Sequence, residues 1–279
     1  MKYPTIILMA ALVGGCALTD VDPHGEREPD ITVSLFDEAR FGAVGEPIDI
    51  GSVAQAVNQG TLKLLPRDYT TMDKDQRTGW ASVLGFDGVS INDGHGGDTR
   101  RTATLIHPQY VVMATHFRRS VGDTIRWRTS WAAIQERKLV ATWHCPGADI
   151  TLGKLDAPTD GLSTYAILPS GYAWQKALRF CFSIHTDQEG KALVKMINGG
   201  VSSMDREDGQ PGRIFYKSIG GKVTTHGDEP LITGDSGNPF FVVYDGQLVL
   251  LGVHWTTVSS VFISDPDVIE WARKTIVTQ

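Results

Sequence analysis

The segment Gly234-Asp235-Ser236-Gly237-Asn238-Pro239 stands directly before the apolar run Phe240-Phe241-Val242-Val243. Gly, Asp, Ser, Asn and Pro favour turns, whereas the aromatic and β-branched residues that follow favour a strand. The segment therefore predicts a tight turn, with Ser236 in it, that leads into a buried strand. By itself, this pattern is also that of an ordinary surface turn.

Two upstream segments each place a polar residue beside a predicted strand. Met113–Phe117 sets His116 directly after a β-rich run, and Ala148–Leu152 sets Asp149 at the opening of an apolar strand. Asp149 follows His116 by 33 residues, and Ser236 follows Asp149 by 87. A serine hydroxyl is a weak nucleophile unless a base accepts its proton, and a carboxylate can orient that base. The three residue types together therefore indicate nucleophilic catalysis.

These three segments resemble the catalytic signatures of the chymotrypsin/trypsin-like serine proteases. That family has a small-small-His segment, an Asp-Ile-Ala-Leu-like segment and Gly-Asp-Ser-Gly-Gly-Pro, in the same order. The likeness extends from about Gly79 to the C-terminal helix. It implies that Ser236 is the nucleophile, that His116 is the general base and that Asp149 orients the imidazole. The backbone N–H groups of Gly234 and Ser236 would form the oxyanion hole.

The resemblance also implies the activity. We expect a serine endopeptidase that acts on a protein or peptide substrate and needs neither a metal nor an organic cofactor. Two other readings stay open: a catalytically inert binding protein on the same fold, and an esterase or self-processing hydrolase. The pair His144-Cys145 is isolated, with no second pair at the spacing of a zinc site.

Short strands recur along the chain with turn residues between them, which predicts an all-β barrel or sandwich. The resemblance narrows this to two six-stranded antiparallel β-barrels with a short C-terminal helix. Ser264-Asp265-Pro266 is a helix start, and four apolar residues then recur on one face. The predicted strands include 102–106, 110–114, 124–128, 138–143, 193–197, 213–218, 240–244 and 248–253, and the helix face is Val268, Ile269, Ala272 and Ile276.

Some positions depart from the family pattern. Asn238 replaces a Gly next to the nucleophile. In trypsin-like members the Asp that corresponds to Asp235 often pairs with an N-terminus freed by cleavage; here we expect no such activation unless a cleavage occurs near residue 78, so Asp235 needs another partner. A Thr stands where the family's Ser-Trp-Gly substrate wall has Gly, so we expect a narrow pocket that prefers small apolar side chains. The substrate-binding residues that the resemblance implies are Pro230, His254, Trp255 and Thr256.

The N-terminus predicts export. Residues 1–15 contain one Lys and a short apolar run, as a signal peptide does. Val13-Gly14-Gly15-Cys16 resembles the lipobox of bacterial lipoproteins, so we expect a lipidated Cys16 that anchors the chain to a membrane facing the periplasm or cell surface. The alternative is an ordinary signal peptide that is cleaved near Ala17. Residues 16–30 are then a tether, 31–78 have no assigned role, and 79–279 form the protease domain.

Composition sets further limits. Hydrophobic residues make up 41% and charged residues 21%, as in globular proteins. The net charge is −6 and no basic stripe is present, which excludes nucleic acid as the expected partner. Cys145 and Cys181 are either a disulfide, since exported proteins meet oxidising conditions, or two buried free thiols.

Overall fold

A computed structural model describes residues 87–90, 101–128, 134–167, 183–185, 195–197, 201–205, 212–216, 236–244, 247–256 and 259–278. Within these stretches the chain is mostly β-strand, and it ends in an α-helix. None of the helices in these stretches has the length and apolar character needed to cross a membrane.

Five strands among the described residues form a first antiparallel sheet with the order β1-β2-β5-β4-β3. Long-range pairing brings β2 beside β5, although β3 and β4 lie between these two strands along the chain. The strands are β1 (Thr104–His107), β2 (Tyr110–Ala114), β3 (Thr124–Arg128), β4 (Ile134–His144) and β5 (Ile150–Leu155).

This first sheet curls around an apolar core of its own, and alternate residues of its strands contribute side chains to that core. On β3, Ile125 and Trp127 are fully buried. Arg126 lies between them and pairs with Glu136 directly across on β4, with 2.7 Å between its Nε and the carboxylate Oε1. Opposite charges at facing positions stabilise an antiparallel pair. The core of this sheet consists of Ala103, Leu105, Val111, Met113, Ile125, Trp127, Leu139 and Leu155.

The second sheet contains the remaining strands of the described residues. Its order is β8-β7-β11-β12-β13-β10-β9 with antiparallel neighbours, and β6 adds to β12 in parallel. The strands are β6 (Ala166–Ile167), β7 (Ser183–His185), β8 (Lys195–Ile197), β9 (Val201–Asp205), β10 (Arg213–Tyr216), β11 (Pro239–Tyr244), β12 (Gln247–Thr256) and β13 (Ser259–Phe262).

A second apolar cluster joins the two sheets. It draws buried side chains from β2 and β5 of the first sheet and from β11, β12 and β13 of the second. Burial of apolar surface is the main force that holds such layers together. The members from the two sheets include Val112, Ile150, Leu152, Phe241, Leu250, Val253 and Val261. The two sheets are therefore packed against each other and not only linked by the chain.

The C-terminal helix α1 (Pro266–Val277) confirms the prediction made from its start signals and its apolar face. The Asp265 side chain accepts a hydrogen bond from the backbone N–H of Asp267 at 3.0 Å, so it caps the helix, and Pro266 follows at the first helical position. The four predicted face residues are all buried: Val268, Ile269, Ala272 and Ile276. They belong to the cluster at the junction of the sheets, or in the case of Ile269 lie beside it.

The β-rich class and the helix are thus as predicted, with some boundaries displaced. The strands over 110–114 and 124–128 match the prediction. The strand predicted over 138–143 is longer, Ile134–His144, because most of the added residues are polar and none is buried, so they leave no apolar pattern. The strand predicted over 102–106 begins only at Thr104, and the one predicted to open with Asp149 begins at Ile150. The predicted segments 1–15, 16–30 and 31–78 lie outside the described residues.

Candidate active site

His116 occupies a single 3-10 turn, Thr115–Phe117, that directly follows β2. Every residue of β2 is buried, so the strand is a firm base for the turn. The chain leaves the core at Ala114, and the His116 side chain is 43% exposed. The imidazole is therefore carried by a rigid element but remains accessible.

Asp149 reaches His116 because of the pairing of β2 with β5. Ala114, the last residue of β2, lies opposite Ile150, the first residue of β5. The ladder continues one step further, since the Thr115 N–H donates to the Asp149 carbonyl oxygen at 3.2 Å. Residues next to these strand ends are thus brought side by side.

The Asp149 carboxylate holds His116 at two points. Its Oδ2 lies 2.5 Å from His116 Nδ1, and its Oδ1 accepts the His116 backbone N–H at 2.9 Å. The Asp149 side chain is only 11% exposed, so water competes weakly for these bonds. An ionised carboxylate only accepts hydrogen bonds, so the proton on the ring is at Nδ1 and Nε2 is left as an acceptor.

Ser236 lies in a turn just before β11 and is half-buried. We call residues 236–238 the serine turn. Gly237 has a φ of +81°, in the left-handed region that glycine tolerates best. Two backbone hydrogen bonds fix the turn to β12: Gly237 N–H donates to the His254 carbonyl at 2.9 Å, and His254 N–H donates to the Asn238 carbonyl at 2.8 Å.

The serine turn packs against the end of β2. A Cβ built on Gly237 would lie 3.5 Å from the Ala114 Cβ and 3.6 Å from the Ala114 nitrogen, two residues before His116. The structure therefore brings the three predicted segments together: Asp149 and His116 in direct contact, and the turn that holds Ser236 against the strand that leads to His116.

A side-chain contact that the sequence did not predict joins the same regions. The Thr102 hydroxyl donates to the Asn238 side-chain Oδ1 at 2.6 Å, and both residues are fully buried. The only indication in the sequence was that Asn238 stands where the signature that this segment resembles has Gly. Thr102 carries no such signal.

Another group of polar side chains that the sequence did not predict lies next to the His116 turn. The hydroxyls of Thr115 and Thr151 are 2.9 Å apart, and His144 Nδ1 lies 2.8 Å from the Thr151 hydroxyl. Thr151 is fully buried on β5, and His144 is exposed at the end of β4. These bonds tie Thr115, the neighbour of His116, to two other strands of the sheet.

Arginines surround the chain that follows His116. Arg118 donates to the Thr115 carbonyl at 2.7 Å, and Arg119 Nε donates to the Arg101 carbonyl at 2.9 Å. Arg101 in turn donates to the Arg118 carbonyl and stands 5.7 Å from the centre of the Phe117 ring. These bonds link the His116 turn to Arg101 and place the guanidinium groups of Arg101 and Arg118 beside it.

Of the predicted substrate-binding residues, the structure describes His254, Trp255 and Thr256. His254 is buried, with its Nδ1 3.4 Å from the Ser260 hydroxyl, and it bonds the serine turn through its backbone. Trp255 is half-buried against the core cluster. Thr256 is exposed, and its hydroxyl lies 2.7 Å from that of Ser259. Pro230, Gly234, Asp235, Cys16 and Cys181 lie outside the described residues.

Cys145 is a buried free thiol, which is one of the two alternatives that the sequence left open for it. Burial and, to a smaller extent, the negative charges of Asp265 and Asp267 together raise the pKa of this thiol from 9.0 to about 12. At neutral pH it is a protonated, inert thiol.

Among the described residues, no three His, Cys, Asp or Glu side chains are grouped as they are in a metal site. No protein-family model matches the chain, and no curated protein shows detectable sequence similarity to it. The case for a function therefore depends on the geometry of the site.

Proposed function

We propose that the chain is a serine endopeptidase of the chymotrypsin/trypsin-like type that cleaves peptide bonds through an acyl-enzyme. The observation that carries the proposal is the bond between His116 and Asp149, next to a strand end against which the serine turn packs. A surface turn with an unrelated His and Asp would have no reason to converge in this way.

The chemistry follows from the atoms present. Ser236 Oγ attacks the scissile carbonyl and its proton passes to His116 Nε2, the nitrogen that Asp149 leaves unprotonated. Asp149 stabilises the imidazolium that forms. The imidazolium then gives the proton to the leaving amine, which departs and leaves an ester on Ser236. Water attacks that ester with the same base, and the acid product and free Ser236 are released. The backbone N–H groups of Ser236 and Gly234 would bind the oxyanion.

We further propose that the two sheets belong to the two six-stranded antiparallel barrels of that fold. Two features support this: the first sheet curls around its own core, and the candidate site lies where the two sheets meet. From Thr256 in place of Gly we also propose a narrow pocket that prefers small apolar side chains. Cleavage of a peptide library after Arg, but not after Ala or Val, would contradict that preference.

Export and lipidation at Cys16 are proposed from the sequence alone. The matched test is Cys16→Ser in a bacterial host. Wild-type protein is expected in the membrane fraction and the variant in the soluble fraction. A variant that remains membrane-bound would contradict the anchor.

A fluorophosphonate probe tests the activity, because it modifies only an activated serine. The mature protein should be labelled and Ser236→Ala should not. Labelling that survives the substitution would assign the nucleophile elsewhere. Absence of labelling in the wild type would favour the inert binding protein. Turnover of ester but not peptide substrates by a labelled protein would favour the esterase.

A further inference from the structure

Asn238 is a buried amide beside the nucleophile, at a position where the signature that this chain resembles has Gly. It is fully buried. An amide in such surroundings destabilises the fold unless it is hydrogen-bonded. Its Oδ1 accepts a 2.6 Å hydrogen bond from the Thr102 hydroxyl, which satisfies the oxygen of the amide.

The partner of Asn238 is informative because of where it lies. Thr102 precedes Asn238 by 136 residues and stands two residues before β1, in the part of the chain that leads into the first sheet. Its neighbour Arg101 exchanges hydrogen bonds with the chain after His116: Arg119 donates to the Arg101 carbonyl, and Arg101 donates to the Arg118 carbonyl. Thr102 is therefore connected to the turn that carries His116.

The other side of the serine turn is already fixed by the two backbone bonds to His254 on β12. Those bonds lie within the second sheet, so they hold the turn to its own sheet only. The bond from Thr102 to Asn238 crosses to the region of the first sheet, where Gly237 also lies close to Ala114. A hydrogen bond has a directionality that such apolar proximity lacks.

We propose that Asn238 is a positioning residue, whose bond to Thr102 sets the serine turn in register with the His116 turn. The inference rests on the proposed function, since register matters only if Ser236 must transfer a proton to His116. Small displacements of a nucleophile from its base lower the rate strongly.

The test measures how fast the fluorophosphonate labels Ser236 as a function of probe concentration. Thr102→Val removes the hydroxyl at nearly constant volume, and Thr102→Ser keeps the donor. The matched control is Thr104→Val, since the buried Thr104 hydroxyl makes no hydrogen bond within the described part of the chain. Thermal unfolding of each variant establishes that labelling is measured on folded protein.

Thr102→Val should lower the limiting labelling rate about tenfold, on the scale of one lost buried hydrogen bond, and leave the half-saturating probe concentration unchanged. Thr102→Ser should restore the rate, and Thr104→Val should not alter it. The double variant Thr102→Val/Asn238→Gly should be no slower than the slower single variant, because both remove the same bond. A purely structural role would move the melting temperature but not the limiting rate of the folded protein.

A wild-type labelling rate in folded Thr102→Val would overturn the inference and leave the proposed function intact. A wild-type protein that is not labelled would overturn the proposed function and this inference with it. If Thr102→Val fails to fold, Asn238→Gly carries the same test, because it removes the acceptor and keeps the Thr102 hydroxyl.

Discussion

Asp149→Asn separates the orienting role of this carboxylate from its role in the fold. In the native site, both carboxylate oxygens accept hydrogen bonds from His116, one from the ring Nδ1 and one from the backbone N–H. The Asn side chain has one acceptor, its carbonyl oxygen, and one donor group, its NH₂. If its oxygen keeps the backbone N–H, its NH₂ group faces Nδ1 and requires that nitrogen to be unprotonated. The ring proton then moves to Nε2, where it blocks transfer from Ser236.

The size of the effect follows from this exchange of tautomers. In serine proteases the same substitution leaves the geometry intact but lowers the rate about 10⁴-fold, which corresponds to about 5.5 kcal/mol of transition-state stabilisation. The cost to folding should be far smaller. The amide retains the bond to the backbone N–H and exchanges the charge-assisted bond to the ring for a neutral one, so the loss is about 1 kcal/mol, on the scale of one hydrogen bond. Labelling by the fluorophosphonate should therefore nearly vanish in a protein that still unfolds cooperatively near the wild-type temperature.

The chain offers a matched control at the other end of the same strand. Asp156 directly follows β5, is exposed, and its Oδ1 accepts the backbone N–H of Lys138 at 3.0 Å. Asp156→Asn changes the same charge and preserves a comparable backbone bond, and it should label at the wild-type rate. Equal labelling of Asp149→Asn and wild type, with Ser236→Ala unlabelled, would refute the assignment of His116 as the base that Asp149 orients.

Three further positions, Gly153, Gly237 and Cys145, give testable outcomes. Gly153→Ala would set a Cβ 2.6 Å from the Leu139 Cδ1, so urea unfolding should show a loss of about 1–3 kcal/mol; an unchanged midpoint would contradict this packing. Gly237→Ala forces a Cβ onto a residue with a φ of +81°. The free energy of unfolding should therefore fall by about 1–2 kcal/mol, and the rate of Ser236 labelling should fall as well. Wild-type values of both quantities would count against the turn described. With the other two cysteines replaced by Ser, Cys145 should resist alkylation at pH 8 until the protein unfolds, because its thiol has a pKa of about 12. Between pH 9 and 12 the unfolded thiol ionises while the folded one keeps its proton, so stability should fall as the pH rises through this window.

The parts of the fold that were predictable are those that local chemistry determines. Asp265 and Pro266 mark the start of α1, and the spacing of its apolar residues gives its buried face, so neither depends on distant chain. The β2 strand is similarly readable, because its apolar residues form an unbroken run. The extension of β4 over Gln135 and Arg137 was not predicted, since polar residues that are only partly buried carry no apolar pattern.

The candidate site shows the same contrast between features that the local sequence predicts and features that depend on distant residues. The residue types and order of His116, Asp149 and Ser236 could be read from the sequence, and the structure brings the first two into contact. The bond between Thr102 and Asn238 could not be predicted, because its partners are 136 residues apart and meet only where two sheets pack. Likewise, nothing local in Thr151 indicates that its buried hydroxyl links Thr115 to His144.

Different sheets hold the two parts of the candidate site, and this has a physical consequence for the reactivity of Ser236. His116 and Asp149 are held within the first sheet by the pairing of β2 and β5, so their contact can survive any change that leaves this sheet intact. The serine turn belongs to the second sheet through its bonds to β12, and it meets the first sheet where Gly237 lies close to Ala114 and Asn238 accepts the Thr102 hydroxyl. The separation between Ser236 and His116 is therefore set by the packing of the sheets. Changes that loosen that packing should lower reactivity at Ser236 before they unfold either sheet, because proton transfer tolerates far less displacement than apolar contact does.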